Sequence, residues 1–452
     1  MWFKTFLKSL GIESGRSLNI TKHVIISFLY KGGSVLSSFL IVPLSIKYLD
    51  TENYGIWLTI SSFIAWFSFF DIGLGNGLRN KFVEAKASGD QKRVKGYVSS
   101  AYYSIGTLIL VLIFIFVLIN FYVDWTNVFN VKSNLQNDLV QLMPIVFSCF
   151  CLQLVLKLII TIYTADLQHS VPGKFVFYSN VASLAIIWSI SQKWEGSLLS
   201  FGITYSLIPV IILFAFNYIG FSGPYEQYKP EIKYWKREFV KDIFGLGTLF
   251  LIIQISGIIL YSTDNYLIAY FFSPSDVVPY NIAYKYFGVS IMLFSIIATP
   301  YWTSVSDAFN KQDYSWLILA MKQLKNISLL FILLVFILFV FAQFFYGFWI
   351  GDKVSVPLSL NILMALFFVS SIYVMPFTMF LNGTGKIKVQ AIQSVVVALI
   401  NVPLAIVLSK FLFLGVNGVI LATVICFIPS IVLSKVQYKM IIQKTAQGVW
   451  NK

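Results

Sequence analysis

Charge is scarce in this chain. Only 12% of its 452 residues are Asp, Glu, Lys or Arg, while 58% are hydrophobic and the mean hydropathy is +0.79. A soluble domain carries roughly 45–50% apolar and about 25% charged residues. Too little polar surface is left here to cover a fold in water. Cysteine is rarer still: Cys149 and Cys151 sit two apart on one predicted helix and Cys426 near the end, so no disulfide framework is expected. The two histidines, His23 and His169, form no metal-binding spacing. No Gly-x-x-x-x-Gly-Lys-Ser/Thr loop is present, which excludes a Walker-type nucleotide engine and leaves an ion gradient, the membrane potential or downstream consumption as the energy source.

What the chain has instead is long apolar runs. Twelve are read at 23–46, 55–72, 98–122, 139–163, 175–192, 197–219, 243–271, 279–304, 326–349, 357–381, 388–409 and 414–434. A bilayer core about 30 Å thick needs roughly 20 apolar residues per helix, whereas barrel strands need only about 9–11 alternating ones. In lipid only helices and closed barrels satisfy the backbone, so an all-α polytopic membrane protein is expected. The first run has a basic start but no small-residue cleavage site, and it is read as a retained span.

The net charge of +14 is unevenly placed. With the N-terminus inside, the two tails and the even-numbered loops carry 25 of the 33 Lys and Arg residues, the opposite loops five, and the spans three. That bias is the positive-inside pattern and predicts both termini in the cytoplasm. It also draws the protein to anionic headgroups, and it is not a nucleic-acid footprint.

The charged stretch "GPYEQYKPEIKYWKREFVKD" at 223–242 divides the runs six and six. The expected organisation is a six-helix bundle over 1–220, a basic cytoplasmic linker over 221–242 and a second bundle over 243–452. Two echoes suggest duplication: "IKYLDTENYGIW" from Ile46 with "IAYFFSPSDVVPY" from Ile268, and "SVPGK" ending at Lys174 with "NGTGK" ending at Lys386. Repeats of this kind are frequent in transporters. Pro43, Pro144, Pro209, Pro300, Pro376, Pro403 and Pro429 fall inside spans, where each removes a backbone hydrogen bond and favours a kink.

The most distinctive stretch is "DIGLGNGLRNKFVEAKASGD" at 71–90. Gly73, Gly75 and Gly77 follow no strand and precede no Lys-Ser/Thr, so they do not cradle phosphate. They are read as the turn that ends a span. Leu78, Phe82 and Ala85 then recur at helical spacing with Arg79, Lys81 and Lys86 between them, as in a short helix at the inner membrane surface that Gly89 closes. This stretch, with "VPLSIKYLDTENYGIW" before it and "TDNYLIAYFF" in the seventh run, resembles the polysaccharide exporter and O-antigen flippase family. That family shares a superfamily with the multidrug MATE exporters and the lipid II flippases. The resemblance implies two six-helix bundles around a central cavity open alternately to each side, in a bacterial inner membrane.

Five ionisable residues lie in or at the ends of spans: Lys31, Asp71, Lys157, Asp264 and Lys285. Each costs about 2.5–3.5 kcal/mol or more at a helix centre, so such groups face a cavity or a partner. Lys31 and Lys157 also lie close enough to the interface to snorkel, and Asp264 and Lys285, at equal depth on successive spans, can form a structural pair. Three lysines against one deep carboxylate favour an anionic cargo, which Lys31, Lys157 and Lys285 are expected to bind, with Arg79 and Lys81 gathering it at the entrance. Tyr261, Asn265 and Tyr284 stand nearby as possible sugar contacts. Asp264 and Asp71 are the candidates for coupling to a proton or sodium ion; no other cofactor or metal is expected.

Together with the resemblance, this implies a flippase for undecaprenyl-pyrophosphate-linked oligosaccharide, working from inner to outer leaflet in the bilayer beside other polysaccharide-assembly proteins. The alternatives are an ion-coupled multidrug exporter on the same fold, which would want an acidic interior, and a membrane glycan polymerase or glycosyltransferase. The short outer loops, the longest at about 123–138, hold no Asp-x-Asp and no histidine. No enzyme activity is therefore expected.

Overall fold

A computed structural model describes residues 16–166, 168, 170–244 and 248–451. These residues form helices joined by short turns, with no strand among them. The helices are α1 (Arg16–Ala65), α2 (Phe69–Ala87), α3 (Gln91–Asn120), α4 (Trp125–Phe129), α5 (Gln136–Leu156), α6 (Leu158–Ala165), α7 (Val171–Ser191) and α8 (Leu198–Phe221). They continue as α9 (Arg237–Phe244), α10 (Thr248–Phe271), α11 (Pro274–Asn310), α12 (Tyr314–Ile350), α13 (Leu358–Thr384), α14 (Lys388–Ile406) and α15 (Val416–Ile442).

Ten stretches among the described residues are long and apolar enough to cross a bilayer. The first, Leu29–Ala65, covers the first two expected spans. Asp50 breaks α1 there with φ 70 and ψ 175, a left-handed conformation that costs an L-residue energy. The seventh expected span falls on the 24-residue α10. Lipid exposure follows from side-chain direction. On α12, Leu329, Leu330, Leu333, Phe336, Val340, Phe341, Phe344 and Phe348 are all more than half exposed. A stripe of that size would drive association in water, and in a bilayer it is the solvated face. This is a multi-pass membrane protein.

The described chain divides into two compact units. One is built from positions up to Asp50, Phe70–Val123, and from Gln136 to the linker. In it α5 packs on α8 and α3, and α7 on α8. The linker folds onto the start of α3. Glu231 N–H and Lys236 N–H donate to Ser99 Oγ (3.1 Å) and Ser100 Oγ (3.0 Å), Trp235 Nε1 donates to Ser104 Oγ (2.9 Å), and Lys95 pairs with Glu231. Lys233 and Lys95 together hold the Glu231 carboxyl down at about 2. The second unit holds Thr51–Phe69, Asp124–Leu135 and everything from Thr248 onward, with α11 on α13, α13 on α15 and α10 on α14.

The glycine stretch departs from its sequence reading. The helix is interrupted before it, by a tight turn at Trp66–Ser68, and α2 then runs unbroken through Gly73, Gly75 and Gly77. Leu78, Phe82 and Ala85 are fully buried, with the Phe82 ring 5.6 Å from Tyr228 of the linker. The apolar face meets protein and not the membrane surface. Gly77 explains why local propensity loses here: a Cβ would collide with the Ile243 carbonyl of α9, so glycine serves close helix approach. Gly89, at φ 73, ends the run as expected.

Candidate functional site

In the first unit the candidate cations come from three places. Lys31 leaves α1 with its side chain exposed. That part of α1 is fixed against α7 by Tyr30, whose ring stands 5.3 Å from Phe177 and 6.0 Å from Tyr178, and by Asn180, whose amide donates to Ser34 Oγ (2.8 Å). Lys157, half-buried, sits at the break between α5 and α6. Asn217 of α8 repairs that break: it donates to the Leu156 carbonyl (2.8 Å) and accepts from the Tyr102 hydroxyl (2.7 Å).

No carboxylate pairs with Lys31, Lys157 or Arg79 among the described residues, and no described contact joins the three to one another. Arg79 is exposed on α2. Lys81 is bound to Glu84 at 2.8 Å, a contact that raises its pKa above the ordinary lysine value. A pair this open to solvent contributes little to stability, so Lys81 can exchange partners. The side chains of Asp71 and Tyr261, and the whole of His169, lie outside the described part of the structure.

The second unit contains a buried carboxylate. Asp264, on α10, is 2% exposed. Its Oδ2 accepts from the Tyr280 hydroxyl at 2.6 Å and from Thr423 Oγ1 at 3.4 Å, while Oδ1 has no hydrogen-bond partner. Asn401 of α14 donates its amide to Thr423 Oγ1 (3.1 Å), and its own Oδ1 is buried without a partner. Four helices, α10, α11, α14 and α15, therefore surround one acid with a phenol, a hydroxyl and an amide, and two carboxyl or carbonyl oxygens stay unsatisfied.

Lys285 does not fill that gap: no ion pair joins it to Asp264 among the described residues. It is half-buried on α11, five residues and about 140° round the helix from Tyr280. Equal depth on neighbouring spans suggested a pair, and helix phase prevents it. Asn265, expected near sugar, is instead tied to Ser62 Oγ (2.7 Å) and Asn281 (2.8 Å). Tyr284 is 38% exposed and lines a cavity. Among the described residues no cluster of three or more His, Cys, Asp and Glu can hold a metal. One carboxylate with neutral oxygens suits a proton or a monovalent cation better than a multivalent one.

Sequence comparison decides the family. The model of the family described as "Polysaccharide biosynthesis protein" matches residues 20–305. The chain belongs to that family. A member of it would be expected to share sequence with polysaccharide exporters, and it does. A Yersinia pseudotuberculosis protein named for O-antigen export is 22% identical over 382 residues, covering 82% of this chain and 85% of that one. A Salmonella typhi protein named as an O-antigen transporter is 23% identical over 294 residues, covering 64% and 66%.

The family match contains Lys31, Arg79, Lys81, Lys157, Asp264 and Lys285. A second model, MatE, matches residues 250–407. Among solved structures, an inward-facing multidrug resistance MATE transporter of the MOP superfamily superposes with TM-score 0.71 at 15% identity, over 93% of this chain and 96% of that one. A MOP superfamily transporter from Pyrococcus furiosus, described by the reverse polarity of its binding pocket, gives 0.67 at 14% identity over 94% and 97%. The fold is thus that of the MATE transporters.

Sequence reading found Asp264 but missed Tyr280, Asn401 and Thr423. The available signal was an amide inside the apolar run "ALINVPLAI", where a buried Asn needs a partner. Thr423 lies 159 positions from Asp264. No local pattern spans that distance.

Proposed function

We propose that this protein is a flippase for lipid-linked oligosaccharide, carrying an undecaprenyl-pyrophosphate-linked repeat unit from the cytoplasmic to the outer leaflet of a bacterial inner membrane by alternating access, with both termini cytoplasmic. The observation that carries the reading is the family match over residues 20–305, together with relatives named for O-antigen export.

The electrostatics support it. Lys31, Lys157 and Arg79 are cations without a described carboxylate partner, and all belong to one unit. A pyrophosphate oxygen about 4 Å from an ammonium gains roughly 4 kcal/mol at an effective dielectric near 20, against about 1 kcal/mol in water. Lys31 and Lys157 receive the phosphates, with Arg79 and an exchanging Lys81 at the approach. Lys285 serves as a further anion contact in the second unit. Asp264 binds the coupling ion: a buried carboxylate without a countercharge is costly, and a proton or sodium ion on Oδ1 relieves that cost. The chemistry is transport and not bond-making.

Gene deletion followed by complementation tests the reading. Loss should leave surface polysaccharide missing and sugar-loaded carrier lipid accumulating in the inner leaflet. Rescue should fail with Lys31→Glu or Lys157→Glu at normal protein level. The MatE match over 250–407 favours a second reading, an ion-coupled drug exporter. Resistance to cationic dyes on expression, with normal glycan export in the deletion strain, would select it.

A further inference from the structure

Beneath the Asp264 cluster the second unit holds a partly open cavity of about 450 Å³ between α10, α11, α13, α14 and α15. At roughly 30 Å³ per water it has room for about a dozen or more molecules. Its far end lies toward the start of α14 and the end of α15, where Lys386, Lys388, Lys435 and Lys439 are carried. The lining is mostly apolar, and the amides and hydroxyls it does carry gather at that end: Gln390, Gln393, Ser430, Ser434 and Gln437. Gln437 is 1% exposed. Its amide donates to the Lys386 and Trp450 carbonyls at 3.0 Å each, and its Oε1, like that of Gln390, has no hydrogen-bond partner. Buried oxygens left open in this way call for water. No Lys, Arg, Asp or Glu is among the described residues that line the cavity, so its walls offer a phosphate no countercharge.

The near end is closed by Leu260, Val397 and Cys426, which line the cavity and pack together as one buried cluster with Leu404 and Phe427 against them. Their positions are telling. Leu260 is four residues before Asp264 on α10, Val397 four before Asn401 on α14, and Cys426 three after Thr423 on α15. Each residue of the collar is thus one helical turn, about 5.4 Å, from a residue of the acid cluster. Three helices place an apolar ring and a polar ring in register, with the cavity on one side and unsatisfied oxygens on the other.

We propose that this cavity is the chamber through which the coupling cation leaves Asp264 for the basic, cytoplasmic side, and that Leu260, Val397 and Cys426 form its gate. The proposal rests on the reading of Asp264 as the coupling site. Closed, the collar keeps the carboxylate dry; a small shift of α10 against α14 and α15 opens a one-turn barrier.

The test uses the full chain in proteoliposomes, with Cys149 and Cys151 replaced by Ala and Cys426 kept, and labelling is read at each cysteine separately by peptide mass so that modification of Cys426 is not counted. Single variants Ser256→Cys and Ser434→Cys report the chamber, and Thr423→Cys reports the far side of the collar. A charged, membrane-impermeant thiol reagent applied from the basic side should label the first two and spare the third. Leu260→Ser should then raise labelling of Thr423→Cys at least tenfold and produce a cargo-independent cation leak. Val397→Thr, nearly isosteric, should do the same more weakly and serves if Leu260→Ser does not fold. Unreactive Ser256→Cys and Ser434→Cys, or a Thr423→Cys that stays protected in both folded gate variants, overturns the chamber. A cation response that survives Asp264→Asn, read separately by thermal shift, overturns the underlying coupling assignment instead.

Discussion

Replacing Asp264 by Asn changes one charge and almost no volume, so it isolates what the carboxylate does. The side chain is 2% exposed, is held by Tyr280 at 2.6 Å and Thr423 at 3.4 Å, and keeps Oδ1 unpartnered. If a cation sits on Oδ1, the lost attraction is about 4 kcal/mol at an effective dielectric near 20. At about 1.4 kcal/mol per tenfold, that weakens cation binding by roughly a thousandfold. A ligand at a hundred times its dissociation constant stabilises the fold by about 2.7 kcal/mol. In the variant the same concentration would be a tenth of the dissociation constant, and the stabilisation would vanish. The assay is thermal unfolding in nanodiscs, titrated with sodium against choline and, separately, with acid. The wild type should be stabilised by one of the two cations and Asp264→Asn by neither. A variant that keeps the wild-type response would refute the argument, as would a wild type indifferent to both.

Two further outcomes follow from the first unit. Gly77→Ala drives a Cβ into the Ile243 carbonyl, and should cost about 1–3 kcal/mol of stability, read as a lowered unfolding midpoint with the same helical content. Glu231 has its pKa depressed to about 2 by Lys233 and Lys95. Its stabilisation of linker docking is therefore present above the ordinary carboxyl value near 4.5 and lost as pH falls from there towards 2. Glu231→Gln should expose residues 223–242 to protease at neutral pH, and should remove the acid-induced rise in cleavage that the wild type shows across that window.

The spans were legible because a run of twenty apolar residues with no charge has few other uses. The exposed stripe on α12 is the same fact seen in three dimensions. Turn positions also came through: the paired echoes fall at the Asp50 break and at the turn before Pro274, and between α6 and α7 as between α13 and α14. What failed were inferences from local rules at places set by distant contacts. Gly73, Gly75 and Gly77 read as a helix end, yet α2 continues because α9 presses against it at Gly77. Asp264 and Lys285 read as a possible pair from depth alone, which ignores their angles round α10 and α11. Asn401 and Thr423 were invisible as ligands because neutral residues in apolar runs resemble packing until the fold brings them to an acid. The candidate cations of the first unit were legible by type; what each one faces depends on rotation about the helix, which composition does not encode.

The most direct measurement is translocation itself, made in proteoliposomes holding the purified protein and a fluorescently tagged undecaprenyl-pyrophosphate oligosaccharide loaded in one leaflet. Appearance of tag in the opposite leaflet should require the protein, should fall at least tenfold in the Lys31→Glu/Lys157→Glu variant and should be indifferent to cationic dyes. Undiminished transfer with both lysines reversed, or transfer of dye and none of glycolipid, would contradict the account.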